Sequence, residues 1–92
     1  NLVNCIRYLK ENNIQILGLS EHSKILHYEE DLREPTALIM GSEETGVRQK
    51  TLEICDSVIS LSADPNFKSL NVSVATGVIL NEALRQRHQA KN

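Results

Sequence analysis

The sequence predicts an α/β fold in which helices flank a parallel sheet. Residues 36–40 form an apolar run without polar alternation, which is typical of a strand covered on both faces. A short helical pattern and a second apolar run at residues 57–61 follow, and a strand–helix–strand unit of this kind pairs its strands in parallel. Residues 70–88 then carry a helical pattern to near the end of the chain.

The chain begins with a predicted helix and a predicted strand. Residues 1–12 place apolar side chains on one helical face, which is formed by Leu2, Cys5, Ile6 and Leu9. Asn12 and Asn13 tolerate the left-handed conformation that ends many helices, so we expect the helix to stop there. Residues 14–19 are mainly apolar and predict the first strand.

Residues 20–35 are polar and have no regular pattern. A compact domain rarely contains a structureless loop of this length. We therefore expect a helical turn within residues 28–33 that packs Leu26 and Leu32, with Pro35 ending the segment before the second strand.

The second and third strands determine where a ligand is expected to bind. Between them, residues 47–55 predict a short helix, whose inward side chains are Val47, Leu52 and Cys55. Because crossovers between parallel strands are right-handed, Gly41 and Leu61 should lie at the same carboxyl edge of the sheet. Open α/β sheets bind ligands at that edge.

Residues 70–88 carry two conflicting patterns. The alternation typical of a strand is formed by Val72, Val74, Thr76 and Val78. Strands average about 5–6 residues, and this much longer segment has no turn signal, so we predict one helix. Its first turns are apolar nearly all round and require a second partner surface, which predicts a homodimer. Gly77 would permit close approach of the two backbones there.

The charge balance limits the possible partners of the chain. Ten Lys and Arg against 12 Asp and Glu give a net charge of −2, which argues against an autonomous nucleic-acid binder. The basic residues near the C-terminal end are Arg85, Arg87, His88 and Lys91. Cations at this place also complement the dipole of a helix, and we favour that interpretation over an RNA-binding patch.

The cysteines and histidines predict no metal site. Cys5 and Cys55 lie among apolar neighbours and form no CxxC pair, so we expect buried free thiols. The three histidines show no ligand spacing with either cysteine. No run approaches the roughly 18 apolar residues that a membrane span requires, and the N-terminus lacks a signal pattern, so we expect a soluble cytoplasmic protein.

Two polar segments carry the functional signal. Residues 69–75 place hydroxyl and amide groups at a helix start, where they either cap backbone amides or hold a polar ligand. Residues 37–47 end an apolar run at a glycine-rich turn whose spacing fits neither the phosphate-binding loop nor the dinucleotide fingerprint. Glu43 and Glu44 would repel a phosphate, so a cationic or zwitterionic ligand suits this turn. A plain turn with solvated carboxylates is the alternative.

In this order and at this separation, the two segments resemble motifs 2 and 3 of the SpoU (TrmH) family of RNA ribose 2'-O-methyltransferases, which belong to the knotted SPOUT class. The likeness is greatest to the 23S rRNA guanosine 2'-O-methyltransferase group and covers nearly the whole chain. It implies that residues 1–92 are the C-terminal portion of one catalytic domain, with motif 2 at 37–47 and motif 3 at 58–84. It also implies an α/β trefoil-knot fold and a homodimer.

The resemblance further implies S-adenosylmethionine as the cofactor and rRNA or tRNA as the partner. The residues expected to hold the cofactor are Gly41, Leu61, Ala63 and Leu70. The polar residues of the reaction site would be Glu43, Ser69 and Asn71, and the methyl acceptor would be a ribose 2'-hydroxyl. Packing in the core is the alternative for the two leucines, and helix capping is the alternative for Ser69 and Asn71.

Several positions depart from the family pattern. The Arg that activates the hydroxyl belongs to motif 1, which has no counterpart in this sequence, so we expect the chain to be inactive alone. Glu44 stands where Gly is common, Ser62 and Ala63 replace a Pro-Met pair, and Pro65 falls where Gly is frequent. Proline fixes φ near about −65°, so this loop must take a different path. A non-catalytic RNA-binding or dimerisation module of the same fold is therefore the alternative function.

Overall fold

The computed structural model describes residues 1–41, 47–64, 66–67 and 71–90 as a three-stranded parallel sheet with helices on its two faces. The strands are β1 (Gln15–Leu19), β2 (Thr36–Ile39) and β3 (Ser57–Ile59). The helices are α1 (Leu2–Glu11), α2 (Gln49–Glu53) and α3 (Val72–Ala90), and a 3-10 turn covers His27–Glu29. The predicted α/β class with a parallel sheet is confirmed.

The strand order is β2-β1-β3, so β1 is central. Gln15 is in register with Thr36 on one side of β1, and Leu17 is in register with Ser57 on the other. The sequence predicted correctly that β2 and β3 run in parallel. The two strands do not pair with each other, however, because β1 lies between them.

The core lies between the sheet and α3. It contains one fully buried residue from β1, one from the segment before β2, one from β3 and one from α3: Leu17, Leu32, Ile59 and Ile79. Burying a side chain of this size contributes about 1.5–3 kcal/mol relative to leaving it exposed. This cluster holds α3 on one face of the sheet.

On the opposite face, α1 and α2 pack over β1. Ile6 of α1 and Ile16 of β1 are fully buried. A Cβ added at Gly18 would lie 2.8 Å from Leu52 Cδ2 and 3.0 Å from Cys55 Sγ, so α2 approaches β1 too closely for a side chain there. Burial raises the pKa of the Cys55 thiol, so this cysteine is a protonated packing residue.

The end of α1 agrees with the expected stop signal. Asn13 has φ 62°, the left-handed conformation that asparagine tolerates, and Asn12 is the C-cap. At the start of the helix, the Asn1 side chain accepts a hydrogen bond from the Asn4 amide at 3.1 Å. Both ends of α1 are thus fixed by asparagines.

Several packing predictions need correction. Cys5 and Leu2 are exposed, because α1 packs through Ile6 and, in part, Leu9. β2 is only half-buried along its length, since α1 and α2 lie over β1 and do not give β2 a full second cover.

Two further expectations shift in position. In the α2 region, Thr51 is the buried residue, whereas Val47 is half-buried. The turn expected within residues 28–33 lies at His27–Glu29 instead, where the Glu29 side chain accepts a hydrogen bond from the Leu26 amide at 2.8 Å. Leu32 is buried as expected, while Leu26 is half-buried.

Candidate functional site

The carboxyl ends of the three strands meet at one edge of the sheet, as they must in a parallel sheet. Gly41 follows the last residue of β2 by two positions, and Leu61 follows the last residue of β3 by two positions. Gly41 is half-buried and precedes residues 42–46, which lie outside the described part of the chain. The strand order therefore agrees with the expected placement of Gly41 and Leu61 at a common edge.

The segment of residues 20–27 extends this edge on the β3 side. Its backbone pairs with Ser60, whose N–H donates to the Ile25 carbonyl at 2.8 Å and whose carbonyl accepts from the His27 N–H at 2.8 Å. The Ser23 hydroxyl donates to the Val58 carbonyl at 2.5 Å. These bonds give Ser60 a strand-like neighbour immediately before Leu61. Sequence reasoning missed this contact, and the only signal was the pair of serines in the segment, which often bond to nearby backbone.

Ser60 carries an unpaired polar atom at this edge. The residue is 1% exposed, and its hydroxyl has no hydrogen-bond partner among the described residues. Ile59 belongs to the core beneath α3, so the alternation of the strand turns Ser60 toward the opposite face, where α2 lies. A buried hydroxyl without a partner costs about 1–3 kcal/mol. Its position suits a site that receives a polar ligand.

Leu61 and Ala63 occupy different environments. The Leu61 side chain packs against the core cluster, which leaves its backbone as the part that faces the edge. Ala63 is exposed in a turn in which the Asp64 amide donates to Ser62 Oγ at 3.0 Å. The core alternative considered for the Leu61 side chain therefore holds, and it is compatible with a ligand contact through the backbone.

Asn71 stands at the start of α3. Its side-chain oxygen accepts a hydrogen bond from the Val74 amide at 2.9 Å, which is the N-cap interaction. Asn71 is exposed, and its side-chain NH₂ group makes no hydrogen bond to the described residues. Capping and contact with a ligand are thus compatible for this residue. Three other expected site residues, Glu43, Ser69 and Leu70, lie outside the described residues.

The described residues contain neither a metal-binding cluster nor a membrane-spanning helix. No group of three or more His, Cys, Asp or Glu side chains in this part of the chain is arranged to hold a metal ion. Within the same ranges, no helix combines the length and the apolar character needed to cross a membrane.

The fold and the edge can now be compared with known proteins. Residues 1–81 match the profile of the SpoU rRNA Methylase family. This match covers most of the chain, and the chain therefore belongs to that family.

Named relatives identify the part of the family that this chain resembles. It is 47% identical over 87 residues to the 23S rRNA (guanosine-2'-O-)-methyltransferase RlmB of Pectobacterium atrosepticum, covering 95% of this chain and 36% of the relative. It is 46% identical over 87 residues to the enzyme of the same name from Photorhabdus laumondii, with the same coverage of both chains. The chain thus spans about a third of the length of these relatives.

Solved structures support the same fold. The A. aeolicus TrmH/SpoU tRNA modifying enzyme superimposes with a TM-score of 0.85 at 39% identity, over 99% of this chain and 47% of that one. The SpoU methyltransferase AviRb from Streptomyces viridochromogenes, solved in complex with AdoMet, gives a TM-score of 0.86 at 26% identity, over 97% of this chain and 37% of that one. The chain therefore has the α/β fold of the SPOUT methyltransferases.

Proposed function

We propose that this chain is part of an S-adenosylmethionine-dependent RNA methyltransferase that transfers a methyl group to a ribose 2'-hydroxyl of rRNA or tRNA. The observation that carries the proposal is the common edge formed by Gly41 and Leu61, in a chain 47% identical to a 23S rRNA methyltransferase. The similarity to an enzyme solved with AdoMet supports the choice of cofactor. With rRNA or tRNA as the substrate, we expect a cytoplasmic location.

The residues at the edge fit this cofactor chemically. S-adenosylmethionine supplies an electrophilic methyl group on a sulfonium, together with an adenosine and an amino-acid end that bind hydrogen-bonding groups. Gly41 leaves its backbone open to a ligand because it has no Cβ. Leu61 directs its side chain into the core and leaves its backbone for the ligand. Ser60 offers a buried hydroxyl without a partner among the described residues.

The reaction requires the ribose hydroxyl to lose its proton as it attacks. In this proposal Glu43, Ser69 and Asn71 line the reaction site and orient the hydroxyl, and Ala63 and Leu70 complete the cofactor site. Orientation of two reacting groups can supply about 7–11 kcal/mol of a barrier. Of this set, Asn71 lies in the described residues, where its side-chain oxygen caps α3 and its NH₂ group has no hydrogen-bond partner among those residues.

We place residues 1–92 in the C-terminal portion of a single SpoU catalytic domain, with motif 2 at 37–47 and motif 3 at 58–84. The trefoil knot implied by the family resemblance belongs to the same proposal. Support comes from the extent of the family match and from relatives that are about three times as long.

We further propose that α3 forms a homodimer interface. Only Ala75 and Ile79 of this helix are buried. Its exposed apolar side chains are Val72, Val74, Val78, Leu80 and Leu84. Replacing Leu80, which is 53% exposed, by Glu should shift the chain toward monomer in sedimentation velocity. The matched control is Leu2→Glu on α1, where Leu2 is 51% exposed; if both variants behave alike, the α3 interface is wrong.

The test of the cofactor site is a calorimetric titration with S-adenosylhomocysteine, the demethylated product. Binding is the appropriate measurement because the sequence predicts no turnover by this chain alone. Gly41→Val should abolish saturable binding, since its side chain would occupy the backbone approach at the edge. Cys5→Ser, at an exposed position of α1 outside the proposed cofactor site and the proposed interface, is the control and should bind normally.

The outcomes separate the two candidate functions. Saturable binding that only Gly41→Val removes supports the methyltransferase. Absence of binding by this chain and by a longer chain that includes the rest of the domain would contradict it and favour the non-catalytic module.

A further inference from the structure

The last turns of α3 hold the segment that leads into β2. This segment, residues 30–34, is called here the connector. The Gln86 side-chain oxygen accepts the Leu32 N–H at 2.8 Å, and its nitrogen donates to the Glu30 carbonyl at 3.0 Å. Arg87 donates from Nε to the Leu32 carbonyl and from Nη2 to the Glu34 carbonyl, both at 3.0 Å. Two helical side chains therefore bind four backbone groups of the connector.

These four bonds follow the period of a strand. The bonded carbonyls belong to residues 30, 32 and 34, and the bonded amide belongs to Leu32. A neighbouring strand would bond an extended segment at every second residue in the same manner. The side chains of Gln86 and Arg87 thus satisfy backbone groups of a segment that belongs to no strand, while the Leu32 side chain is buried in the core at 1% exposure.

The Gln86 side chain is held in one orientation. Its nitrogen also donates to Glu82 Oε2 at 2.7 Å, and the same carboxylate accepts two bonds from Arg85 at 2.8 Å. Turning the amide over would place its nitrogen against the Leu32 N–H and its oxygen against the Glu30 carbonyl and the Glu82 carboxylate. The network therefore fixes which atom faces each partner.

The bonds lie at the end of the sheet opposite to the proposed site. Alongside β2, α3 runs in the reverse direction, because Gln86 and Arg87 contact the connector before β2 while Ile79 and Leu80 line a groove together with Leu38 of β2. From Ile79 back to Asn71 is eight residues, or about 12 Å of helix. From Leu38 on to Gly41 is three residues, or about 10 Å of strand. From this groove, the start of α3 and the end of β2 therefore both extend toward the carboxyl edge of the sheet, over similar lengths.

Apolar packing alone does not set this register. A groove of about 340 Å³ lies between α3 and β2, and its lining residues are Leu32, Thr36, Leu38, Ile79, Leu80, Ala83, Leu84 and Arg87. Hydrophobic contact is not directional and tolerates a small slide of one element past the other. The hydrogen bonds to the connector are directional and resist such a slide.

We propose that Gln86 and Arg87 are positioning residues that fix α3 against β2, so that Asn71 and Gly41 stay aligned across the site. This inference rests on the proposed methyltransferase function. It also replaces the interpretation of Arg87 as a cation that only complements the helix dipole. A displacement of about 1 Å at a reacting centre can cost two orders of magnitude in rate, which gives the alignment its importance.

The test combines amide hydrogen exchange with S-adenosylhomocysteine titration of this chain. Gln86→Ala and Arg87→Lys should speed exchange of the β2 amides and weaken S-adenosylhomocysteine binding by roughly three- to tenfold. Gln89→Ala is the matched control, because the Gln89 side chain accepts a hydrogen bond from Arg85 of its own helix at 2.8 Å and, among the described residues, makes none to the connector. Ile6→Val, on the far face of the sheet, controls for loss of stability and should leave the affinity unchanged.

Each outcome supports or contradicts the positioning role of Gln86 and Arg87. In Gln86→Ala and Arg87→Lys, faster amide exchange at Leu32 alone, together with S-adenosylhomocysteine affinity equal to that of the controls, would show that the hydrogen bonds stabilise only the connector. This result would overturn the positioning role. If Ile6→Val weakens binding as much as Gln86→Ala at an equal fall in Tm, stability explains the effect and the inference is wrong. If the parent chain binds no S-adenosylhomocysteine, the same variants are titrated in the longer chain that decides the proposed function, and exchange at β2 tests in this chain whether Gln86 and Arg87 hold that strand.

Discussion

Replacing Gly18 by Ala tests how closely α2 packs on the central strand. The new Cβ would lie 2.8 Å from Leu52 Cδ2, whereas carbon atoms in contact prefer about 3.5–4.0 Å, so Leu52 must move by roughly 1 Å. Overpacking of this kind costs about 1–3 kcal/mol. Alanine recovers about 0.5–1 kcal/mol by restricting the unfolded chain. We expect a net loss of about 1 kcal/mol, or a fall in Tm of about 4–8 °C.

The assay is urea unfolding followed by circular dichroism, with Gly77→Ala as the matched control. A Cβ at Gly77 meets nothing within 4 Å in the described residues, so that change should stabilise the helix by about 0.5–1 kcal/mol. The two Gly-to-Ala changes should therefore have opposite signs. In a Leu52→Ala background the penalty at Gly18 should become smaller, because the nearest clashing atom is gone and only the contact with Cys55 Sγ at 3.0 Å stays close. Gly18→Ala as stable as the parent would refute the close packing of α2 on β1.

Three further predictions concern single polar groups. A hydrogen bond from Arg85 lowers the pKa of Glu82 to about 2, below its unfolded value of about 4.3. The stabilisation from Glu82 is therefore complete above about pH 4.3 and is lost as the pH falls toward about 2. In acid titrations, the difference in free energy of unfolding between the parent and Glu82→Gln should disappear over this pH range. Asn71→Ala should cost about 1 kcal/mol by removing the α3 cap, whereas Asn71→Asp should keep the stability. Because the proposed role of Asn71 is to orient the ribose hydroxyl, Asn71→Asp should also keep S-adenosylhomocysteine binding in a calorimetric titration, and a loss of binding would contradict that role. Asp56→Ala should cost about 1–3 kcal/mol in chemical denaturation by leaving the Ile16 amide without its 2.7 Å acceptor, and Asp56→Asn should cost less.

The elements of the fold could be predicted because their signals are local. The apolar run of β2, the asparagines that end α1 and the length of α3 each depend on neighbouring residues, and the structure confirms all three. The central position of β1 could not be predicted in the same way. Strand order depends on contacts between residues distant in sequence, and a strand–helix–strand unit leaves room for another strand between its members.

The contacts around the candidate site were predictable only in part. The carboxyl edge follows from topology, which puts Gly41 and Leu61 at the same edge of the sheet on opposite sides of β1. The pairing of Ile25 with Ser60 could not be predicted, because residues 20–27 have no strand periodicity and bond through backbone groups that every residue possesses. The hydrogen bonds from Arg87 to the connector could not be predicted either. A cation near the C-terminal end of a helix is already explained by its interaction with the helix dipole, so the sequence gives no sign of these bonds.

The two outer strands of the sheet, β2 and β3, differ in how well their outer sides are covered, and this difference affects the tendency of the isolated chain to self-associate. Residues 20–27 cover the outer side of β3 near its end, but among the described residues no strand pairs with the outer side of β2. Residues 36–41 contain no charged side chain, and charges are the usual protection of an exposed strand against intermolecular pairing. In the sequence, Arg33, Glu34 and Pro35 precede this run and Glu43 and Glu44 follow it, so the gatekeeper residues lie outside the strand itself. Self-association of the chain should therefore begin at β2, and a lysine introduced at Thr36 should improve its solubility.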